Sequence, residues 1–400
     1  MTSPEAGRDL VVTVADIPTD KVLEGILRWV EIETPSRRPD QIGRLVDLIL
    51  EDLDGLPVAF ERVPGRDGFG DHLIVRYAPS GAEGPPALVM GHIDTVWDVG
   101  TLARRPICRE GERVFGPGIF DMKAGSYLAF HAIEWMARTG IVPPRPVVTL
   151  FNSDEEVGSP TSREIIEREG TKAAFVLVPE PAVGPQAAAV TSRKGWGRFR
   201  VKAFGRSSHA GGNHQEGRSA IREIAAQILD LESLTDYARG TTVNVGVVRG
   251  GTLLNVVPAE AEIEVDVRVL DEGEAERVAP LVLRRSANDP DVRIETEGGW
   301  NRPPFVRTPA GEQLYRAAAD LAEALGFDLP ETARGGVSDG NFTAVLGRPT
   351  LDGLGCGGHG AHAEDEHITA SSIASRAALM CNMLASSAFQ HQACSHGDRS

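Results

Sequence analysis

The chain has 400 residues, 57 acidic and 41 basic, for a formal charge of −16 with neutral histidines. That balance argues against a protein built to grip nucleic acid or an anionic membrane surface. A chain this long exceeds what one hydrophobic core organises, so two or three domains are expected. No stretch approaches the roughly 18–20 apolar residues of a membrane span, and the N-terminal MTSPEAGRDL has neither a basic nor an apolar leader region. Cys108, Cys356, Cys381 and Cys394 lack the spacing of a disulfide framework or a cysteine zinc site, so a cytoplasmic location is expected.

In chain order, apolar side chains recur at a helical period from Asp20 to Val30 and again from Arg44 to Leu53. Short apolar runs then alternate with helical patterns. Leu73–Tyr77, Ala87–Met90, Val147–Phe151 and Ala174–Val178 read as strands; Tyr127–Ala137 and Ser162–Arg168 read as helices. This alternation predicts an α/β domain whose central sheet is mostly parallel and flanked by helices. Near Arg193 the texture changes. Trp196–Phe204, Thr242–Val248 and Ala261–Val269 alternate apolar with polar residues, Arg218–Leu234 and Glu272–Arg285 are helical, and Val292–Glu297 is a final strand. Strand–helix–strand–strand–helix–strand with one wet face predicts an inserted ferredoxin-like α+β unit. After Arg302-Pro303-Pro304 the first texture resumes, with helices at Gln313–Leu325 and Ser371–Leu384 and a strand at Pro349–Leu354. The expected organisation is a discontinuous domain, residues 1–193 and 304–400, interrupted by an insert at 194–303.

Four strands share one rule: where the strand ends, a metal-type ligand follows. Ala87–Gly91 runs into His92 and Asp94, Val147–Phe151 into Asp154, Glu155 and Glu156, Phe175–Pro179 into Glu180, and Thr350–Leu354 into a glycine-rich loop with His359 and His362. The carboxyl ends of parallel strands form the binding crevice of open α/β sheets. A fifth segment, Gly116–Gly125, sets Asp121 in a glycine-rich turn before a helix, where an N-cap would be the plain reading. Any one of these residues alone would be a solvated charge or a hydrogen-bonded histidine; their joint placement makes the case. Imidazole with carboxylate and no thiolate suits zinc or a similar divalent ion in a catalytic site. Two such ions would keep three ligand carboxylates ionised in one cleft. Adjacent Glu155 and Glu156 can split roles, one as ligand and one as base. Asp94 can accept the second imidazole N–H of His92 and set its tautomer.

The segments GHIDTV, GPGIFDMKAG, NSDEEVGS, PEPA, GRSSHAG, GGTLLNVVPAEAEIEVDVRV and GGHGAHAEDE, in that order, resemble the co-catalytic zinc aminoacylase/carboxypeptidase family from about residue 20 to the C-terminus. The resemblance implies two zinc ions per subunit, with cobalt or manganese as substitutes. His92, Asp121 and Glu180 would hold one and Asp121, Glu156 and His362 the other. His362 is preferred over His359 because the family's ligand sits just before an acidic stretch, here Glu364-Asp365-Glu366. Glu155 matches the general base. His209 matches a histidine that reaches the partner's active site and steadies the oxyanion, which implies a homodimer through the insert. Asn255 and Arg268 match positions that bind the substrate carboxylate, although the residues alone leave Arg268 equally readable as a surface partner of Glu264 or Asp266. His131 reads as core or surface, and Asp339 matches a family segment of less defined role.

The expected activity is hydrolysis of an amide bond next to a carboxylate-bearing amino acid, most like a glutamate carboxypeptidase. No Lys or Arg lies between Glu180 and Arg193 to meet a glutamate side chain, though Arg302 could supply one, so an N-acyl amino acid deacylase is the alternative. The presence of Glu155 weighs against a non-catalytic metal-binding regulatory paralogue. No G-x-x-x-x-G-K-[ST] cradle exists for a nucleotide-dependent ligase.

Overall fold

The computed structural model describes residues 10–394; all of the N-terminal stretch read for a leader except Leu10 lies outside them. The chain divides into two compact units: one runs to Ser192 and adds Arg307–Arg334 and the chain from Ser338, the other holds Arg193–Val306 with Gly335–Val337. Among the described residues no helix is long and apolar enough to cross a membrane.

The first unit opens with α1 (Thr19–Val30) and α2 (Pro39–Asp52), then β1 (Ala59–Val63), β2 (His72–Tyr77), β3 (Ala87–His92), α3 (Thr101–Arg104), the short strands β4 (Cys108–Glu110) and β5 (Arg113–Phe115), α4 (Ala124–Thr139), β6 (Val147–Asn152), α5 (Arg163–Lys172), β7 (Phe175–Leu177) and β8 (Ala189–Arg193). Its main sheet has the order β1-β2-β6-β3-β7-β14, where β14 is Thr350–Leu351. From β6 through β3 and β7 to β14 the pairing is parallel; β2 runs antiparallel to β6 and to β1. The sheet is mostly parallel, as its continuous apolar runs imply, and its antiparallel edge adds a strand, β1, that the sequence pattern hides. All of β1 but Val63 is exposed, so no buried period marks it.

The strands divide the core in two. Ala87 and Val89 of β3 face a cluster with Ile26 and Trp29 of α1 and Leu128 of α4, whereas Leu88 and Met90 face Ile165 and Ile166 of α5. That is the period-2 alternation of a strand buried on both faces. Trp29 sits edge-on to Tyr127 at 5.2 Å and to Phe151 at 5.7 Å, which fixes α1 and α4 against the sheet.

The second unit runs β9 (Gly195–Phe204), α6 (Ala220–Glu232), β10 (Thr242–Gly250), β11 (Glu260–Val269), α7 (Glu272–Leu283) and β12 (Arg293–Arg302). Its four strands are antiparallel in the order β10-β11-β9-β12. Ile263, Val265, Val267 and Val269 form one core with Ile224 of α6 and Val278 of α7, so both helices cover one face. Each helix is capped: Ser219 Oγ accepts from Arg222 N at 3.2 Å, and Asp271 Oδ1 from Glu274 N at 2.9 Å.

The chain then returns to the first unit through α8 (Pro309–Ala324), β13 (Glu331–Arg334), α9 (Gly340–Val345), β14, β15 (Gly358–His359), β16 (His367–Thr369), α10 (Ser371–Ala385) and α11 (Ser387–Cys394). β15, β16, β5 and β4 form a small antiparallel sheet that ties the loop before His362 to the segment before Asp121.

Candidate metal centre

Each parallel strand delivers its ligand at its carboxyl end. His92 is the last residue of β3, and β6 ends at Asn152, two residues before Asp154-Glu155-Glu156. Glu180 follows β7, and the chain beyond β14 leads to His362, which adopts φ +61° after Gly360 at φ +85°. Asp121 comes from the turn entered through Gly118, whose φ of +72° and close approach to Thr95 exclude a side chain. His92 Nε2 lies 3.3 Å from Asp121 Oδ1 and 3.9 Å from Glu180 Oε1; His362 Nε2 lies 3.2 Å from Asp121 Oδ2 and 3.0 Å from Glu156 Oε2. Two ligand sets result, His92/Asp121/Glu180 and Asp121/Glu156/His362, each with its ligand atoms within 4.8 Å of one another. Asp121 turns one oxygen to each set. Glu156 Oε1 is buried without a hydrogen-bond partner, an acceptor that a bound cation would satisfy.

The electrostatics follow from the crowding of carboxylates. Hydrogen bonds to Asp121 and Glu156 push the His362 imidazolium up to about 11. Burial works against charging His92, but hydrogen bonds to Asp121 and Asp94 win and raise it well above the usual range. Burial raises the Glu156 carboxyl. In the metal-free centre the two imidazoles therefore stand in as the positive charges.

The supporting contacts differ from the simplest expectation for Asp94. His92 Nδ1 donates to the Asp94 backbone carbonyl at 2.9 Å, while the Asp94 carboxylate lies at 3.4 Å. The carbonyl thus fixes the tautomer and turns Nε2 to the ligand side. The carboxylate instead accepts from Ser36 Oγ at 2.6 Å and from the backbone N–H groups of Glu155 at 3.2 Å and Glu156 at 3.3 Å, so it sets the Glu155-Glu156 turn. Glu155 is half-buried beside Glu156.

Two supporting residues carry no signal in the sequence. The buried carboxylate of Glu366 accepts from Trp97 Nε1 at 2.7 Å and from the backbone N–H groups of Gly118, Phe120 and Asp121 at 2.8, 3.0 and 3.1 Å. It clamps the Asp121 turn from the loop that carries His362. Lys123 Nζ, fully buried, donates to the carbonyls of Trp29 in the last turn of α1 and of Ile32 just past it, and burial pulls its ammonium down to about 7.

In the second unit, His209 is exposed, and its Nδ1 accepts from the N–H groups of Gly211 at 3.1 Å and Gly212 at 2.9 Å. The ring proton of the neutral imidazole therefore sits on Nε2, which points a donor outward. Ala210 N donates to the Asn255 carbonyl at 3.0 Å, so the His209 and Asn255 loops adjoin. Arg268 does lie on the face opposite Val267 and Val269, and of its two sequence candidates it engages Asp266, through Nε at 2.8 Å and Nη2 at 3.0 Å, over the face of Trp196. Burial and the Arg268 charge lower the Lys194 ammonium, and Lys194 stands two residues before Trp196, the cross-strand partner of Arg268. Arg302 is 1 % exposed and donates to Asn301 Oδ1, so it presents no open guanidinium. In the first unit Asp339 accepts from Asn152 Nδ2 and Ser159 Oγ, bracing the β6 end. His131 is buried within α4, and His359 lies in β15, outside both ligand sets.

Residues 88–386 match the profile of Peptidase family M20/M25/M40. The chain belongs to this family. As an M20 member it is a hydrolase of amide bonds. It is 28 % identical to carboxypeptidase G2 of Pseudomonas sp. (strain RS-16) over 372 residues, which cover 91 % of this chain and 88 % of that protein. It is 26 % identical over 330 residues to succinyl-diaminopimelate desuccinylase of Acinetobacter baumannii (strain AYE), covering 78 % and 85 %. The fold is shared with a tripeptidase from Staphylococcus aureus at a TM-score of 0.74 and 21 % identity, over 92 % of this chain and 99 % of that one. It is shared also with an M20 metallo-carboxypeptidase from Sulfolobus solfataricus, at 0.71 and 16 %, over 94 % and 99 %.

Proposed function

We propose that the protein is a two-zinc, zinc-dependent hydrolase that releases a carboxylate-bearing amino acid from an amide, as a glutamate carboxypeptidase does. The observation that carries this reading is Asp121 turned to two ligand sets, with Glu155, a member of neither, next to Glu156 in the chain. His92 and Glu180 would complete one ion's ligands and Glu156 and His362 the other's. When bound, the ions supply Lewis acidity, polarising the amide carbonyl and lowering the pKa of water. Glu155 takes a proton from the attacking water and passes it to the departing amine. His209 of the other subunit donates Nε2–H to the oxyanion, a role its tautomer suits. Arg268, with Lys194 near it, meets the free carboxylate of the substrate, and Asn255 adjoins the His209 loop.

The His209 role needs a homodimer. In support, β10 is an outer strand of its sheet, and Val248 on β10 and Ile221 and Leu229 on the adjoining α6 are exposed apolar residues. The ferredoxin-like unit is read as the dimerisation domain, and the protein as cytoplasmic. N-acyl amino acid deacylation is the second reading. The buried Arg302 favours it, since it removes the cation proposed for a glutamate side chain, and so does the desuccinylase relative.

Zinc-loaded protein should hydrolyse members of a panel of dipeptides and N-acyl amino acids varied in both halves, and chelator should abolish the activity. A flat, chelator-insensitive background refutes the enzyme. Glu155→Ala should keep zinc and lose nearly all turnover. His209→Ala should lose turnover with zinc content intact, and loss of zinc with it would count against the role assigned.

A further inference from the structure

Of the five residues in the two ligand sets, His362 is the exposed one: its side chain is 51 % exposed, and it stands on an open turn with Ala361, Glu364 and Asp365. Its φ of +61° lies in the left-handed region, which a residue with a Cβ keeps where its surroundings impose it. Inside the loop, Ala363 N donates to the Gly360 carbonyl at 2.8 Å and Glu366 N to the Ala363 carbonyl at 3.2 Å. Among the described residues, one hydrogen bond reaches the backbone of residues 361–365 from a distant part of the chain. Arg105 Nη2 donates to the Ala363 carbonyl, next to His362, at 3.2 Å. Arg105 follows α3 directly, its N–H donating to the Thr101 carbonyl at 2.7 Å, and Glu33 ties down the start of that helix by accepting from Gly100 N and Leu102 N, each at 2.7 Å. The guanidinium lies over the Trp97 ring, 4.3 Å from its centre, and the edge of the same ring donates Nε1–H to Glu366. The face of Trp97 thus seats the cation that holds the His362 side of the loop, and its edge meets the carboxylate that holds the Asp121 turn. The guanidinium donates to a carbonyl rather than a carboxylate, and its Nη1 is buried with no hydrogen-bond partner, so neither ion pairing nor stability accounts for an arginine here.

We propose that Arg105 is a positioning residue for His362, which sets the affinity of the ion held by Asp121, Glu156 and His362 and leaves the ion held by His92, Asp121 and Glu180 unmoved. The proposal rests on the two-ion reading of the centre. His362 Nε2 serves its set by staying close to Asp121 Oδ2 and Glu156 Oε2, at 3.2 and 3.0 Å. Release of the Ala363 carbonyl lets the turn leave its left-handed conformation and carries the imidazole away from both carboxylates. His92 and Glu180 come from the end of β3 and the segment after β7, which Arg105 does not touch.

The test is zinc binding in competition with a chromogenic chelator, resolving the two ions, on the parent, Arg105→Met, Arg105→Lys, and Arg105→Met placed in a His362→Ala chain. Arg105→Met keeps an unbranched stem over Trp97 and removes the charge and the donors, whereas Arg105→Lys keeps a cation and a donor for the Ala363 carbonyl. Arg105→Gln, shorter and uncharged, takes the place of Arg105→Met should that variant fail to fold. In Arg105→Met one ion should bind at least about tenfold more weakly and the other within about twofold of the parent, and Arg105→Lys should recover at least about threefold of the loss. In the His362→Ala chain, which retains one complete ligand set, Arg105→Met should shift the remaining ion by less than about twofold. Two ions weakened alike, a lysine variant no tighter than the methionine one, or a loss that persists in full in the His362→Ala chain overturns the positioning role. A parent that binds two zinc ions, neither of them moved by Arg105→Met, refutes this proposal alone. A parent that binds fewer than two refutes the two-ion reading and the proposal with it.

Discussion

Glu366→Gln is the substitution most able to separate the positioning of Asp121 from the bare presence of ligands. It keeps shape and volume but replaces one acceptor oxygen with an amine. Oε1 of Glu366 accepts from Phe120 and Asp121 N–H, and Oε2 from Gly118 N–H and Trp97 Nε1. Whichever way the amide sits, its NH₂ faces two donors, and two buried N–H groups lose their acceptor. At ~1–3 kcal/mol for each stranded buried donor the cost is about 4 kcal/mol, a large share of an ordinary folding free energy of ~5–15 kcal/mol. The protein can recover part of it by letting the 118–121 turn relax, and that moves the one carboxylate common to both ligand sets. The expected result is a fall in metal affinity of at least tenfold, read by competition with a chromogenic chelator, together with a lower melting temperature for the metal-free chain. A variant whose stability falls while metal affinity stays within twofold refutes the clamp as a positioning device. A variant unchanged in both refutes the hydrogen-bond pattern itself.

Metal binding at pH 7 should release protons, because His362, pushed up to about 11, and His92, raised above its usual range, are both charged in the metal-free centre and must bind metal as neutral imidazoles. Titrations in buffers of different ionisation enthalpy should give different apparent heats; identical heats would refute the assigned charge states. His131 is held neutral by burial, its imidazolium pulled down to about 4 from an ordinary 6.5. Its folded pKa is depressed, so the term it adds is fully present above pH 6.5, fades as pH falls and is gone below about 4, a loss on the order of 3 kcal/mol. His131→Leu should flatten the acid limb of stability, and an unchanged limb would count against this account. Gly125→Ala places a Cβ 1.7 Å from the Pro179 carbonyl oxygen, next to Glu180. Because the obstacle is backbone, it should cost metal at the His92/Asp121/Glu180 set, measured as zinc per chain.

Legibility in the sequence followed the range of the interactions. The parallel strands were readable because burial on both faces leaves continuous apolar runs, and the ligand after each run marks the strand's carboxyl end. The alternation of β11, with Glu262, Glu264, Asp266 and Arg268 between buried aliphatics, announced an antiparallel sheet with one wet face. β1 was not readable because it buries almost nothing. Glu366 looked like one member of an acidic stretch because its four donors lie more than 240 positions away in the chain. The Asp94 contact to His92 is half-legible: spacing brings the residue to the imidazole, and the backbone path sets its carbonyl at 2.9 Å, nearer than its carboxylate at 3.4 Å. Lys194 carries no signal in the sequence, because nothing in its chain neighbours points to Arg268, which lies across the sheet.

The charge arithmetic explains why these supports exist at all. Asp94, Asp121 and Glu180 gather around His92, and Glu156 joins Asp121 at His362. Left to themselves such groups would spread or protonate. The fold prevents spreading by committing backbone N–H groups: Glu366 holds the Asp121 turn and Asp94 holds the Glu155-Glu156 turn, each by hydrogen bonds that carry no net charge. What remains is a crowd of carboxylates with one buried oxygen of Glu156 unsatisfied, a demand that the proposed metal ions would meet. Turns held by neutral donors add no positive charge of their own to compete with a metal. A lysine or arginine in their place would have satisfied the carboxylates and weakened the site's claim on a cation.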